Sequence, residues 1–245
     1  MDIYGFSDIG KIREKNEDEY AIEGFKNNKN QGYCIIADGM GGHNSGEIAS
    51  KIAVKVISIE LNNILKNKLQ HIDIKKIILN SLKKANEKIY NQSLNNKEQS
   101  GMGTTIIVCF IKMEMIYIAN IGDSRVYVFN ENNIKKITTD HSMIEELILS
   151  GNITEKEAKN HPQKHLITRS LGTKKNIDPD FYEYFYKQND VIIMATDGLT
   201  EMLDLKEIKK ILSEKKSAKT TTLNLVKKAN ERGGLDNITV ITIKI

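Results

Sequence analysis

The 245-residue sequence has little of several features that mark specialised classes of protein. Its two cysteines, Cys34 and Cys109, each lie inside an apolar segment, which argues against a disulfide framework and favours buried thiols in a reducing compartment. No apolar run approaches the roughly 20 residues of a membrane-spanning helix. The opening Met-Asp-Ile-Tyr-Gly lacks the basic and apolar segments of a secretory signal. We therefore expect a cytoplasmic protein with no membrane association.

Charge of one sign is not concentrated in any part of the chain. The 36 basic and 32 acidic residues are spread along the sequence and give a net charge of +4. Without a basic block, nothing predicts binding to nucleic acid. No linker rich in proline, glycine or serine and no internal repeat divides the chain. We therefore expect one domain over residues 1–245, acting as a monomer.

Apolar periodicity predicts strands and helices that come in separate runs. Strands are predicted at Ile3–Ile9, Glu17–Ile22, Tyr33–Ala37, Thr104–Ile111, Met115–Ile121, Arg125–Phe129, Phe181–Tyr186, Val191–Ala195 and Ile238–Ile243. Helices are predicted after a capping box at Asn44 and Glu47, and at Ile72–Leu94, Met143–Leu149, Thr154–Glu157, Asp204–Glu214 and Lys219–Arg232. The segment Gly122-Asp123-Ser124 is predicted to close a hairpin. Such runs favour the α+β class, with antiparallel sheets flanked by helices.

Five aspartates stand near the ends of predicted strands. Asp38 and Asp197 each follow an apolar strand and precede glycine, whereas Asp18 and Asp236 lie where a strand begins. Asp123 lies in the predicted turn. Because the end of one antiparallel strand lies beside the start of its neighbour, we expect these carboxylates at one edge of the structure. Clustered carboxylates repel each other unless a cation neutralises them, and hard oxygen ligands select Mg²⁺ or Mn²⁺.

A pair of such ions would polarise a phosphoryl group and activate water for its hydrolysis. Arginine is preferred for holding phosphate oxygens because its donors form a fork. Arg13, close in sequence to Asp18, is the candidate. The alternative for Arg13 is a surface arginine paired with Glu14 or Glu17. For any single Asp-Gly pair the alternative is a solvated turn.

The motifs, taken in order, resemble the metal-dependent type 2C family of serine/threonine protein phosphatases in its short bacterial form. The matching segments are Arg13–Asp18, Ala37–His43, Gly103–Thr105, Ile121–Arg125, Asp140–Ser142, His161–Pro162 with Leu166–Gly172, Ala195–Leu199 and Gly234–Thr239. They extend from residue 13 to residue 239. The resemblance implies an α-β-β-α sandwich, two antiparallel sheets flanked by helix pairs, with a mobile flap at about residues 140–172.

The resemblance also implies a function and a set of cofactors. The family hydrolyses phosphoserine and phosphothreonine in proteins with metal-activated water, and a member of this kind is expected to oppose a bacterial serine/threonine kinase. Its partners would be phosphorylated proteins, including that kinase. Its cofactors would be two Mn²⁺ or Mg²⁺ ions, with a weaker third.

The same resemblance implies a role for each matching site residue. Asp38 would bridge two ions, with the Gly39 carbonyl on the first and with Asp197 and Asp236 on the second. Asp18 would act through a metal-bound water, and Asp123 with Asp197 would form the third site. Arg13 would bind the substrate phosphate.

Methionine at position 40 is a departure from the animal members of the family, which carry their proposed general acid there. Methionine cannot donate a proton, so the acid for the leaving group must lie elsewhere. A metal-bound water near Asp123 is the first candidate, and His43 is the alternative. No chemistry is assigned to the flap histidines His141, His161 and His165.

Three other functions compete with this interpretation. A regulatory module that binds phosphoproteins without turnover would have lost Asp38 or Arg13, and both are present. A phosphatase dedicated to one partner in a developmental switch usually has further domains. A nucleotide-processing enzyme with two metals would need a base-binding or basic groove, of which the sequence gives no sign.

Overall fold

The fold is a sandwich of two antiparallel sheets in a computed structural model that describes residues 1–25, 31–41, 45–67, 73–131, 133–158 and 161–245. The strands are β1 (Asp2–Asp8), β2 (Asp18–Glu23), β3 (Gln31–Met40), β4 (Gly103–Thr104), β5 (Ile106–Lys112), β6 (Met115–Ile121), β7 (Arg125–Asn130), β8 (Asn133–Lys136), β9 (Asp180–Phe185), β10 (Val191–Ala195) and β11 (Ile238–Lys244). The first sheet has the order β1-β11-β10-β7-β8. The second has the order β2-β3-β5-β6-β9, with β4 paired to β3.

Helices pack on the outer face of each sheet, and two short ones lie in the connection between β8 and β9. The helices are α1 (Gly46–Asn67), α2 (Ile74–Asn95), α3 (Met143–Leu149), α4 (Glu155–Ala158), α5 (Asp197–Thr200), α6 (Leu205–Leu212) and α7 (Ala218–Glu231), with a short 3₁₀ turn at Lys97–Gln99. Polar caps begin several of them. The Asp73 side chain accepts from the backbone N–H of Lys76 at the start of α2, and Asp204 forms a capping box with Glu207 at the start of α6.

Alternation along the strands divides the buried apolar side chains into three layers. On β3, Tyr33 and Ile35 pack under α1 and α2, whereas Cys34 and Ile36 point between the two sheets. On β10, Ile192 contributes to the layer between the sheets and Ile193 to the layer under α5–α7. The predicted α-β-β-α sandwich is therefore confirmed.

Both cysteines lie in the layer between the sheets. Cys34 and Cys109 are opposite each other in the β3–β5 ladder and are free and fully buried, and burial raises the pKa of both thiols. This agrees with the prediction that they act as small apolar side chains. In the part of the chain that the structure describes, no helix is both long and apolar enough to cross a bilayer.

Two sequence predictions about strand ends are wrong. Gly122–Ser124 does not close a hairpin, because β6 belongs to the second sheet and β7 to the first, so this segment crosses between sheets. Asp38 does not follow its strand but lies inside β3, which continues to Met40 because Gly39 and Met40 pair with β4. The predicted cap at Asn44 lies outside the described residues.

The stretch predicted as a flap contains α3 and α4. Its base is held by isolated bridges, one between Ser142 and Ile167 and one between Thr104 of β4 and Leu171. The short helices at Met143–Leu149 and Glu155–Ala158 match the sequence prediction. Its identity as a mobile flap stays a prediction.

Candidate active site

Two adjacent strand pairs, one from each sheet, bring four aspartates to the same end of the sandwich. Asp18 opens β2 and is directly opposite Asp38 in the β2–β3 ladder. In the other sheet β10 and β11 are neighbours, with Ala195 opposite Val240, so Asp197 just after β10 and Asp236 just before β11 share one end of that pair. Strand adjacency therefore places Asp18 beside Asp38 and Asp197 beside Asp236. Packing of the two sheets then brings the two pairs together, so that the charge of Asp236 acts on Asp18, 218 positions away.

Asp123 reaches the same region from the segment that crosses between the sheets. The adjacent Ser124 hydroxyl is 3.0 Å from the Thr105 hydroxyl, which accepts from the backbone N–H of Asp38 at 3.1 Å. Asp123 acts electrostatically on both Asp38 and Asp197. The crossover, which sequence reasoning took for a hairpin, thus places Asp123 between the two strand pairs.

Two glycines allow backbone segments to approach around the aspartates. A β-carbon at Gly39 would overlap the carbonyl group of Gly46 at the start of α1. A β-carbon at Gly198 would overlap the carbonyl oxygen of Asn237, so this glycine lets the segments that carry Asp197 and Asp236 touch. The glycine after each aspartate is therefore needed for close packing.

Asp18 is the most deeply buried of the five carboxylates. Its Oδ2 accepts hydrogen bonds from the Thr239 hydroxyl at 2.6 Å and from the Thr196 hydroxyl at 3.0 Å, and both threonines are fully buried in the other sheet. Thr239 also contacts the Ser7 hydroxyl at 2.7 Å. These bonds fix Asp18 across the junction of the two sheets.

Desolvation and mutual repulsion disfavour charge on these aspartates. Burial raises the pKa of Asp18 to about 7 against the hydrogen bonds from the two threonines, and burial followed by repulsion from Asp140 raises the pKa of Asp123 to about 6. The pKa values of Asp38 and Asp197 are well above the ordinary range, first through burial and then through the neighbouring carboxylates. A cation would relieve this repulsion.

The donor set fits a hard divalent cation. Asp18 Oδ1, Asp123 Oδ1 and Asp197 Oδ1 are buried oxygens that have no hydrogen-bond partner in the structure. Buried polar atoms are normally paired, and carboxylate oxygens suit Mg²⁺ or Mn²⁺. As the side chains stand, the described residues contain no group of three or more acidic, histidine or cysteine side chains arranged to hold a metal ion. The fit therefore rests on the unpaired oxygens and on the shared repulsion of their carboxylates.

Arg13 lies at this site, on the loop between β1 and β2. Its Nη2 donates to Asp236 Oδ2 at 2.7 Å, and half of its side chain is exposed. The partner of Arg13 is thus Asp236, 223 positions away. The alternative considered from the sequence was a pair with Glu14 or Glu17. One end of the Arg13 guanidinium is fixed by Asp236, and the exposed part remains accessible to a ligand.

Thr196, Asn237 and Thr239 lie within the matching motifs, but the sequence predicts no role for them. Thr196 and Thr239 bond to Asp18, and the Asn237 amide bonds to the loop that carries Arg13. Their position directly beside the site aspartates was the available signal. Gly42 and His43, the alternative proton donor, lie outside the described residues.

Comparison with known families settles the class of the protein. The family model for protein phosphatase 2C matches residues 12–231, which is most of the chain and includes all the strand-end aspartates except Asp236. The chain belongs to the protein phosphatase 2C family. This confirms the resemblance inferred from the motifs.

Relatives and solved structures of protein phosphatase 2C type agree over nearly the full chain. The serine/threonine phosphatase stp of Listeria welshimeri is 34% identical over 241 residues, covering 97% of this chain and 93% of the relative. The S. agalactiae serine/threonine phosphatase structure has 35% identity and a TM-score of 0.91, covering 99% of this chain and 98% of that one. The catalytic domain of PstP in complex with 2 manganese ions has 26% identity and a TM-score of 0.85, covering 98% and 96%.

Proposed function

We propose that this chain removes phosphate from phosphoserine and phosphothreonine in proteins, as a metal-dependent phosphatase of the 2C family. The observation that carries the proposal is the junction of the two sheets, where buried and half-buried aspartates, three of them with an oxygen that has no hydrogen-bond partner, cluster beside Arg13. Carboxylate oxygens that lack hydrogen-bond donors can bind divalent ions, and an arginine beside them can bind the oxygens of a phosphate that those ions hold.

The proposed metal ligands are the five aspartates and one carbonyl group. Asp38, the Gly39 carbonyl, Asp197 and Asp236 would hold two Mn²⁺ or Mg²⁺ ions, Asp18 would act through water, and Asp123 would join Asp197 at a weaker third site. When bound, such ions lower the pKa of water and polarise the phosphoryl group. Support comes from the raised pKa values of Asp38 and Asp197, which a cation would reverse.

The protein's own side chains would bind the substrate and control its protons. Arg13 would donate from its exposed guanidinium edge to the phosphate oxygens. Thr196 and Thr239 would keep Asp18 Oδ2 occupied, so that Oδ1 faces the site. Asp123, on the segment that crosses between the sheets, would orient the proton donor for the serine or threonine oxygen that leaves.

The setting of the reaction is part of the same proposal. We infer a cytoplasmic monomer with a single domain, whose substrates include a bacterial serine/threonine kinase and the proteins that the kinase phosphorylates. The stretch at about residues 140–172 would be the flap that shapes access for them. The charge of +4 without a basic block favours protein substrates over nucleic acid.

Hydrolysis of a phosphothreonine peptide tests the function directly. We expect turnover with Mn²⁺ or Mg²⁺, no turnover in EDTA, and no turnover for Asp38→Ala or Asp197→Ala. Okadaic-type inhibitors of other phosphatase families should have no effect. Persistent hydrolysis in EDTA would reject the proposed mechanism.

A further inference from the structure

The loop that carries Arg13, residues 9–17, is closed at its base by a single side chain from the other end of the chain. Asn237 Nδ2 donates to the carbonyl oxygens of Ile9 and Lys15, both at 2.9 Å. Its Oδ1 accepts from the backbone N–H of Glu17 at 2.8 Å. Both amide hydrogens and the amide oxygen of Asn237 are thus used on this one loop.

We propose that Asn237 is a positioning residue for Arg13, an inference that rests on the proposed phosphatase function. The two carbonyl groups that it holds lie on either side of Arg13 in the chain, so they bring the ends of the loop together beneath that residue. Asn237 is 5% exposed and follows Asp236, the ion-pair partner of Arg13. The same short segment therefore fixes both the backbone and the guanidinium of Arg13.

Arg13 needs a fixed backbone because its side chain projects from a loop and is held at one end of the guanidinium by Asp236. The side chain is half exposed, and an unrestrained arginine loses considerable rotamer freedom on binding. Further hydrogen bonds join this loop to the 233–237 segment, from the Lys11 N–H to the Gly234 carbonyl at 2.8 Å and from the Arg13 guanidinium to Asp236 at 2.7 Å. Since a phosphate-binding group acts only when it is oriented, Asn237 should affect substrate binding through Arg13.

A double-mutant cycle on phosphopeptide hydrolysis at saturating Mn²⁺ tests this coupling. We expect Arg13→Ala to lower kcat/KM about 30-fold and Asn237→Ala about 10-fold, mainly through KM. The double variant should stay within about twofold of Arg13→Ala, because Asn237 has nothing left to position. Losses that multiply would overturn the proposal.

Asn86→Ala is the matched control for losing a buried amide clasp. Asn86 Nδ2 donates to the carbonyl groups of Lys174 and Lys175 at 2.9 and 3.0 Å, and its Oδ1 accepts from the Gly172 N–H at 2.7 Å. It makes the same three bonds to a different loop. Asn86→Ala should change kcat/KM by the same factor in the parent protein and in the Arg13→Ala variant.

Hydrogen exchange and metal titration separate positioning from simple stabilisation. In EDTA, Asn237→Ala should speed amide exchange in residues 9–17 while exchange in α2 stays unchanged, and its Mn²⁺ affinity should remain within about threefold of the parent. Exchange that rises everywhere, or a large loss of Mn²⁺ affinity, would show that Asn237 acts through the fold or through Asp236.

Two further outcomes keep the result interpretable. If Asn237→Ala does not fold, Asn237→Ser, which can keep one hydrogen bond, takes its place. Adding Asn237→Ser to Arg13→Ala should likewise leave kcat/KM within about twofold of Arg13→Ala alone. A parent protein that hydrolyses no phosphopeptide with Mn²⁺ would reject the proposed function. An active parent with an additive cycle would reject only the role of Asn237.

Discussion

Asp18 and Asp38 lie directly opposite each other across the ladder of β2 and β3. Like charges at directly opposed positions destabilise a sheet, and each of these carboxylates has a raised pKa. The metal-free protein therefore keeps an electrostatically unfavourable arrangement at the junction of its sheets. Such an arrangement is expected where function, not stability, determines the residues.

Asp38→Asn should stabilise the metal-free protein and abolish its response to metal. The amide keeps the shape of the side chain and removes its charge, so repulsion from Asp18 and Asp197 is relieved. In EDTA we expect the free energy of unfolding to rise by about 1–2 kcal/mol, which raises Tm by about 2–6 °C in thermal denaturation. Mn²⁺ should raise Tm for the parent only.

Asp73→Asn is the control for that substitution. Asp73 caps α2 far from the site, and asparagine caps a helix as well as aspartate does. It should leave Tm and the response to Mn²⁺ unchanged. A metal-free Asp38→Asn protein that is less stable than its parent would contradict the account of the site as a repulsive cluster.

The stability of the metal-free protein should fall as pH rises from about 5 to about 8. Burial raises the folded-state pKa of Asp18 to about 7 and of Asp123 to about 6, whereas both groups ionise near pH 4 in the unfolded chain. The folded state thus binds more protons in this window, and its added stability is lost as pH passes through the folded values. Tm measured in EDTA across the window checks the sign, and Asp18→Asn should flatten the slope.

Arg13→Ala should weaken substrate binding and leave metal binding intact. Loss of a charge-assisted contact to phosphate is worth about 1.5–3 kcal/mol, which lowers kcat/KM by about 10- to 150-fold. Because Arg13 is paired with Asp236, its removal should leave Mn²⁺ affinity equal or tighter. Steady-state kinetics and Mn²⁺ titration measure the two effects.

Arg232→Ala provides the comparison for Arg13. Arg232 is as exposed as Arg13 and is also paired with one carboxylate, Glu207, but on the outer helices. Exposed pairs of this kind contribute little, so kinetics and metal affinity should match the parent. Equal losses in both variants would mean that Arg13 has no specific role.

Thr239→Val should weaken metal binding by releasing Asp18. Valine has the shape of threonine but removes the 2.6 Å hydrogen bond to Asp18 Oδ2, so this carboxyl is held by the Thr196 hydroxyl alone. We expect Mn²⁺ affinity to fall about 10-fold by calorimetric titration, and Thr239→Ser to recover most of it. Thr222→Val, which loses an equally buried hydroxyl bond to Thr242 on the outer face of the first sheet, should not change it.

Local pattern was sufficient to predict most of the elements of this fold. Met115–Ile121 and Val191–Ala195 have the bounds that their apolar runs indicated. β8, at Asn133–Lys136, was missed because an exposed edge strand with two lysines carries no apolar period. α5, at Asp197–Thr200, was missed because a single turn shows no helical stripe.

Long-range relationships were harder to infer. The run Met115–Phe129 looks like a hairpin, since two β-branched strands flank a short glycine turn whether or not they share a sheet. Only tertiary packing decides that they do not. Strand adjacency accounts for Asp18 beside Asp38 and for Asp197 beside Asp236. The meeting of Asp38 with Asp197 depends on how the two sheets pack, and the pairing of Arg13 with Asp236 depends on how a loop folds over β11.

Asp123→Ala should slow hydrolysis most for substrates whose leaving oxygen needs a proton. Asp123 stands on the crossover with a buried Oδ1 that has no hydrogen-bond partner, and we place it beside the proton donor to the departing oxygen. Phosphoserine leaves as an alkoxide that needs a proton, whereas nitrophenyl phosphate leaves as a stabilised phenolate that does not. At saturating Mn²⁺ we expect kcat to fall about 100-fold on a phosphoserine peptide and less than about fivefold on nitrophenyl phosphate.

Mn²⁺ affinity at the tight sites should stay close to that of the parent. Equal losses on both substrates would assign Asp123 to metal binding alone, and no loss on either would remove it from the reaction.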